Sequence, residues 1–209
     1  MRNRPLPGTS GRLQELSLLG EPVLHEPCET VTDFTAAPGW AGGLSAFVED
    51  LFATMYANGG VGLAANQIGV NARVFVYDCP DDEDVRHVGH VVNPRLVEAD
   101  GVVVRGPEGC LSLPGIEAGT PRFDRAVVEG VDRLGAPVRV EGTGFFARCL
   151  QHECDHLDGI LYTDRLAGRR RSKALRQARR TSWYRSGTRA RALAADPGNR
   201  PPARPERGR

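Results

Sequence analysis

Aromatic residues make up only 6% of this 209-residue chain, methionine and tryptophan occur twice each, and no apolar run is long enough to cross a bilayer. A helical membrane protein is therefore not expected, and neither is a membrane partner. The N-terminus, MRNRPLPGTSGRLQEL, has early arginines but no apolar stretch behind them, so a secretory signal is not expected and a cytoplasmic location follows. Cysteine is sparse: Cys28, Cys79, Cys110, Cys149 and Cys154 are odd in number and include no C-x-x-C pair. That pattern argues against a disulfide framework and fits a reducing compartment. Acidic residues nearly vanish at the end of the chain. Residues 169–209 hold 14 Lys and Arg against Asp196 and Glu206, a net of +12, so with +1 overall the first 168 residues carry −11. An acidic body with a basic tail points to a polyanionic partner for the tail.

What is present reads as one ordinary globular unit, 40% hydrophobic and 25% charged. Residues 1–15 are rich in Pro, Gly and Arg and are expected to be a flexible N-terminus. The segment EPVLHEPCETV (21–31), with Pro22 and Pro27, predicts extended chain. In GLSAFVEDLFATMYANGG (43–60), Leu44, Phe47, Val48, Leu51, Phe52 and Met55 recur at helical spacing, and Asn58-Gly59-Gly60 ends the pattern. Strand-like runs follow at 72–79, 90–99, 125–132 and 137–142, with PDDED (80–84) and DRLGA (132–136) as turns. TGFFARCLQHECDHLDG (143–159) returns to helical period with Gly159 as its stop, and RRRSKALRQARR (169–180) predicts a basic helix. From residue 196 onward proline and glycine predict disorder. Strands in groups with one late central helix give an α+β fold of antiparallel sheets around that helix.

The late helix carries His152-Glu153-Cys154-Asp155-His156. Histidines at i and i+4 share a helix face and can hold one metal ion, with the adjacent glutamate placed to take a proton from water. Two side chains do not complete such a site. Tyr162 stands where one large group of metalloproteases has a third histidine, and no histidine follows it. The third ligand therefore lies upstream. Cys110, in GPEGCLSLPG (106–115), has rigid flanks that suggest an exposed turn, and a thiolate ligates divalent metals strongly. His25, His87 and His90 are the competitors. Gln67, within GGVGLAANQIGV (59–70), offers an amide N–H to an oxygen, and the glycines there permit close backbone approach.

The segments GVGLAANQ (60–67), EGCLSLP (108–114) and QHECDHLDG (151–159), in that order, resemble the three motifs of the bacterial peptide deformylases. The resemblance spans roughly residues 15–170. It implies a catalytic domain at 16–168; the basic helix and disordered tail read from charge and composition complete the chain at 169–209, with the part beyond about residue 180 outside the resemblance. It implies Cys110, His152 and His156 as ligands of one divalent ion, with iron(II) favoured and zinc, nickel or cobalt as substitutes. Glu153 is then the general base, and Gln67 and the backbone N–H of Leu111 hold the developing oxyanion. Val61, Gly62 and Gly106 are expected to pair with the substrate backbone, while Val61, Phe145 and Cys149 flank a pocket for formylmethionine. Glu108 and Arg122 are expected to pair and brace the motif. The sequence departs from the family at Arg148, where a hydrophobic residue is common, and at His25, where arginine is usual. The implied activity is removal of the N-formyl group from nascent peptides by a monomer, with the ribosome as partner of the tail. A metallopeptidase using the same H-E-x-x-H chemistry, or an inactive homologue with a structural metal site, is the alternative.

Overall fold

The computed structural model describes residues 7–8, 10–35 and 42–186. The disorder expected of the last residues lies outside the described residues, as do residues 1–6 and 9 of the N-terminal segment. Within the rest of that segment, expected to be flexible, the backbone N–H groups of Gly8, Arg12 and Gln14 are instead tied to Glu49, Asp50 and Thr54.

Five strands form one antiparallel meander: β1 (Gly62–Ala64), β2 (Val74–Pro80), β3 (Arg86–Gly109), β4 (Glu117–Val131) and β5 (Pro137–Thr143), hydrogen-bonded in chain order. The four expected runs overlap β2 to β5 to within two residues at each misplaced end, but β3 and β4 are far longer than their apolar cores. The reason is register. The β3–β4 ribbon shifts between Val92/Arg95, Leu96/Glu98 and Asp100/Val103, so its hydrophobic alternation is broken although pairing continues to Gly109↔Glu117. Strand pairing therefore carries EGC to the end of β3. The exposed turn expected over residues 106–115 is corrected accordingly: Glu108 is buried on the strand, Cys110 is half-buried, and only residues 111–115 turn. Likewise the extended segment 21–31 contains a single 3-10 turn at Pro22–Leu24, which buries Leu24.

Helix α1 (Gly43–Ala57) lays Phe47, Leu51, Met55 and their neighbours against Leu63, Val74 and Val76. Helix α2 (Gly144–Leu157) is the centre of the molecule, buried from Phe146 to Leu157. Phe146, Ala147, Leu150 and Leu157 pack on Phe75, Val91 and Val128 of the sheet, which leaves the histidine face turned toward β1 and the end of β3. Gly159 ends the helix with φ +73°, a left-handed conformation that suits glycine. A Cβ there would also lie 2.7 Å from the Glu26 backbone nitrogen, so the chain at 25–26 passes directly over it.

Helix α3 (Gly168–Ala178) is polar over most of its surface, yet Ala174 and Ala178 are buried against Leu24, Leu113, Ile116, Leu161 and Tyr162. A short helix α4 (Ser182–Ser186) follows. Among the described residues no helix is long and apolar enough to cross a membrane.

Candidate metal centre

Three ligand atoms converge from two elements. His152 and His156 lie one turn apart on α2 with their Nε2 atoms 3.2 Å apart, and Cys110 Sγ lies 3.1 Å from His156 Nε2. All three donor atoms fall within 4.8 Å of one another. Among the described residues this is the one grouping of His, Cys, Asp and Glu compact enough to hold a metal. The competing histidines are elsewhere. His87 stacks on Phe146 at 4.3 Å and bonds Asp81, His90 Nε2 accepts the Arg133 N–H at 3.0 Å, and His25 is exposed. Cys154 faces away into the core with Cys28 and Leu157.

The donor set fits a divalent cation. His152 Nδ1 meets Glu108 Oε1 at 2.6 Å, so the proton belongs on Nδ1 and the lone pair on Nε2. Burial presses the His156 imidazole well below its ordinary pKa, which keeps that ring neutral. Two imidazole lone pairs and a sulfur directed at one point are what a borderline metal binds.

Around the ligands sits a buried ionic web. Glu108 accepts Arg122 Nη2 at 2.6 Å and Nε at 3.1 Å, so the expected pair is present. It also accepts Arg148 Nη1 at 3.0 Å. Burial alone would raise the Glu108 pKa, but His152 and Arg122 outweigh it and hold the carboxyl well below the usual range. Arg122 reaches on to Asp155 at 2.5 Å, and Asp155 also takes Arg165 at 2.6 Å. Arg148 donates further to Thr120 O at 2.9 Å and Val104 O at 2.8 Å, tying α2 to both long strands. Sequence reasoning gave Asp155 no role. Its place three residues after His152 was the available signal.

Glu153 is 3% exposed, and its Oε2 has no hydrogen-bond partner. Burial pushes its carboxyl up to about 7. Its neighbour across the site is Gly62, where a Cβ would overlap Oε1 and lie 2.8 Å from Cδ. Gln67 is anchored by the Ala64 N–H on its Oε1 at 2.8 Å. That bond turns Nε2 toward Cys110 Sγ (3.5 Å) and Ser112 Oγ (3.3 Å). Asn66 clamps α2 from the same turn, donating to His156 O at 2.5 Å.

A cavity of about 660 Å³ opens onto this centre. Its walls include Val61, Gly62, Gln67, Leu111, Phe145, Arg148, Cys149, His152 and Glu153. Two of the expected site residues are not in this lining: the ligand His156, which is buried behind it, and Gly106. A Cβ on Gly106 would come 3.0 Å from Arg148 Nη2. Trp183, which no sequence argument singled out, is part of the wall.

The family model described as polypeptide deformylase matches residues 13–172. The chain is 69% identical over 185 residues to peptide deformylase 2 of Streptomyces avermitilis, covering 88% of this chain and 96% of that one. With peptide deformylase 2 of Streptomyces coelicolor the identity is 67%, covering 88% and 100% respectively. The crystal structure of peptide deformylase from Thermus thermophilus superposes with TM-score 0.70 at 41% identity, covering 80% of this chain and 93% of that one.

Proposed function

The chain belongs to the polypeptide deformylase family, and from that membership we propose how its own residues remove the formyl group from the N-terminal formylmethionine of newly made polypeptides. The observation that carries the reading is the meeting of three ligand atoms within 4.8 Å beside a buried, unpartnered Glu153 carboxylate oxygen.

Cys110, His152 and His156 hold one divalent ion, and the thiolate and two imidazoles suit iron(II), our assignment, with zinc, nickel and cobalt accommodated. When bound, the ion supplies Lewis-acid polarisation of the formyl carbonyl and acidifies a water molecule. Glu153 takes the proton from the attacking water and returns it to the nitrogen of the leaving amine. A carboxyl raised to about 7 by burial does both near neutral pH. Gln67 Nε2, held by its bond to Ala64, and the Leu111 backbone N–H orient the formyl oxygen and stabilise its charge. Val61 and Gly62, with Gly106 on β3, pair with the peptide backbone as an added strand. Val61, Phe145 and Cys149 receive the methionine side chain, with the Arg148 stem completing the wall.

Residues 16–168 form the catalytic domain, and the enzyme acts as a cytoplasmic monomer. The basic C-terminal region serves location. Its helix α3 buries Ala174 and Ala178 but leaves Arg169, Arg170, Lys173 and Arg176 exposed, a surface suited to ribosomal RNA. Charge reversal of Arg169, Arg170 and Lys173 is expected to abolish a ribosome affinity that falls steeply with salt; equal binding by that variant refutes this role.

The test of the activity is direct. The metal-loaded protein is expected to release formate from formyl-Met-Ala-Ser and leave the internal bonds intact. Internal cleavage would favour the metallopeptidase reading, and no turnover would favour a structural site.

A further inference from the structure

We propose that Trp183, beyond the family match that ends at residue 172, is a specificity-determining residue of the active-site cavity. It takes an apolar side chain of the peptide downstream of formylmethionine. The inference rests on the deformylase reading of the site.

Several independent contacts put the indole there. Its Nε1–H donates to Pro114 O at 3.2 Å, on the loop that follows Cys110. Its ring packs against two separate cores, the one beneath α1 and the one beneath α3. Helix α3 delivers it, because Ala174 and Ala178 are buried and set the direction in which the chain leaves the body. The ring is only half-buried, and its remaining surface lines the same cavity as His152 and Glu153.

The cavity is thus composite. One part of its lining, Phe145, Arg148 and Cys149, comes from α2 and is used by the methionine in the reading above. Another part brings together Pro114 and Trp183, over the buried Leu16 and Leu113. That second part, apolar except for Glu117, belongs to the same cavity as the metal centre, and nothing in the deformylation step uses it. A peptide held by its formyl end at Cys110, His152 and His156 has to leave through the cavity, and its next side chains are the natural occupants. An indole supplies a broad apolar face at small entropic cost, and its N–H bond fixes the orientation.

The experiment compares kcat/KM for formyl-Met-Ala-Ala, formyl-Met-Leu-Ala and formyl-Met-Ala-Leu in wild type, Trp183→Ala and Trp183→Phe, each with its metal content measured. Wild type is expected to prefer a leucine substrate, and Trp183→Ala to lose about tenfold of that leucine-to-alanine ratio. Trp183→Phe, which keeps an aromatic face, is expected to retain most of it. A wild type without leucine preference, an unchanged ratio in Trp183→Ala, or an equal drop for every substrate overturns the proposal; the last result would make the indole a structural plug. Failure of the wild type to release formate from any of the three overturns the deformylase reading instead, and this inference with it.

Discussion

Glu108→Gln offers the sharpest test of how the centre is held. Four donors converge on the Glu108 carboxylate, two on each oxygen. Oε1 takes His152 Nδ1 and Arg122 Nη2, and Oε2 takes Arg122 Nε and Arg148 Nη1. Glutamine replaces one oxygen with an NH2 group, so in either amide orientation two of the four donors lose their acceptor. Removing one partner of a buried ion pair costs about 3–5 kcal/mol. Here the lower end is expected, near 3 kcal/mol, because Arg122 keeps Asp155 and Arg148 keeps two carbonyls. The loss of charge beside His152 Nδ1 adds a second effect, a fall in metal affinity of about 10- to 100-fold, since the ring loses its orienting anion. Denaturant unfolding of the metal-free protein reads the first effect, and competition with a chelator reads the second. The pH dependence follows from sign. The folded carboxyl lies below its ordinary value of 4.5, so its stabilisation is complete above that pH and is lost as pH falls below it. The glutamine variant is expected to lack that component of the acid limb. Metal affinity within about twofold of wild type, in a variant that has lost stability, would refute the orienting role and leave Glu108 a brace of the fold.

Other substitutions probe the chemistry. Glu153→Gln is expected to keep its metal and lose turnover by about 10² or more, measured as formate release; near-normal activity in the loaded variant would end its assignment as the base. Cys110→Ala is expected to lose metal and activity together while Cys154→Ala keeps both, as read by metal content after dialysis, because Cys154 lies in the core beside Leu157. Gly62→Ala forces a methyl onto the Glu153 carboxylate, so turnover is expected to fall by about 10² with metal content retained. Wild-type turnover by that variant would show that the carboxylate has room to move.

Much of this protein could be read in one dimension because its chemistry is local. His152 and His156 share a face through helix geometry alone, and Glu153 follows from adjacency. The 43–57 helix and the late helix declared themselves by period and by their stops at Asn58 and Gly159. Helical spacing and turn chemistry act over a few residues, so the sequence encodes them without reference to anything distant. Cys110 was a candidate partner of the histidines from its rigid flanks and thiolate chemistry, and the family resemblance chose it over His25, His87 and His90. Folding brings it there, because the β3–β4 pairing extends through Gly109 and sets its sulfur 3.1 Å from His156.

What the sequence left undecided depends on residues far apart in the chain. The length of β3 and β4 was hidden because three register shifts break the alternation that marks a strand. Arg148 read as a charged intruder in an apolar position. In the fold its guanidinium is paired with Glu108, Thr120 and Val104, residues 28 to 44 positions away. The RRRSKALRQARR segment read as polar on nearly all sides, and only docking against Leu24, Leu113 and Tyr162 turns Ala174 and Ala178 into a buried seam. That seam in turn sets Trp183 in the cavity wall, 69 residues from the carbonyl that holds it. Alanine carries too little hydrophobic signal to announce a core face, and a lone tryptophan carries no period at all. Their roles exist only once the chain has closed around them.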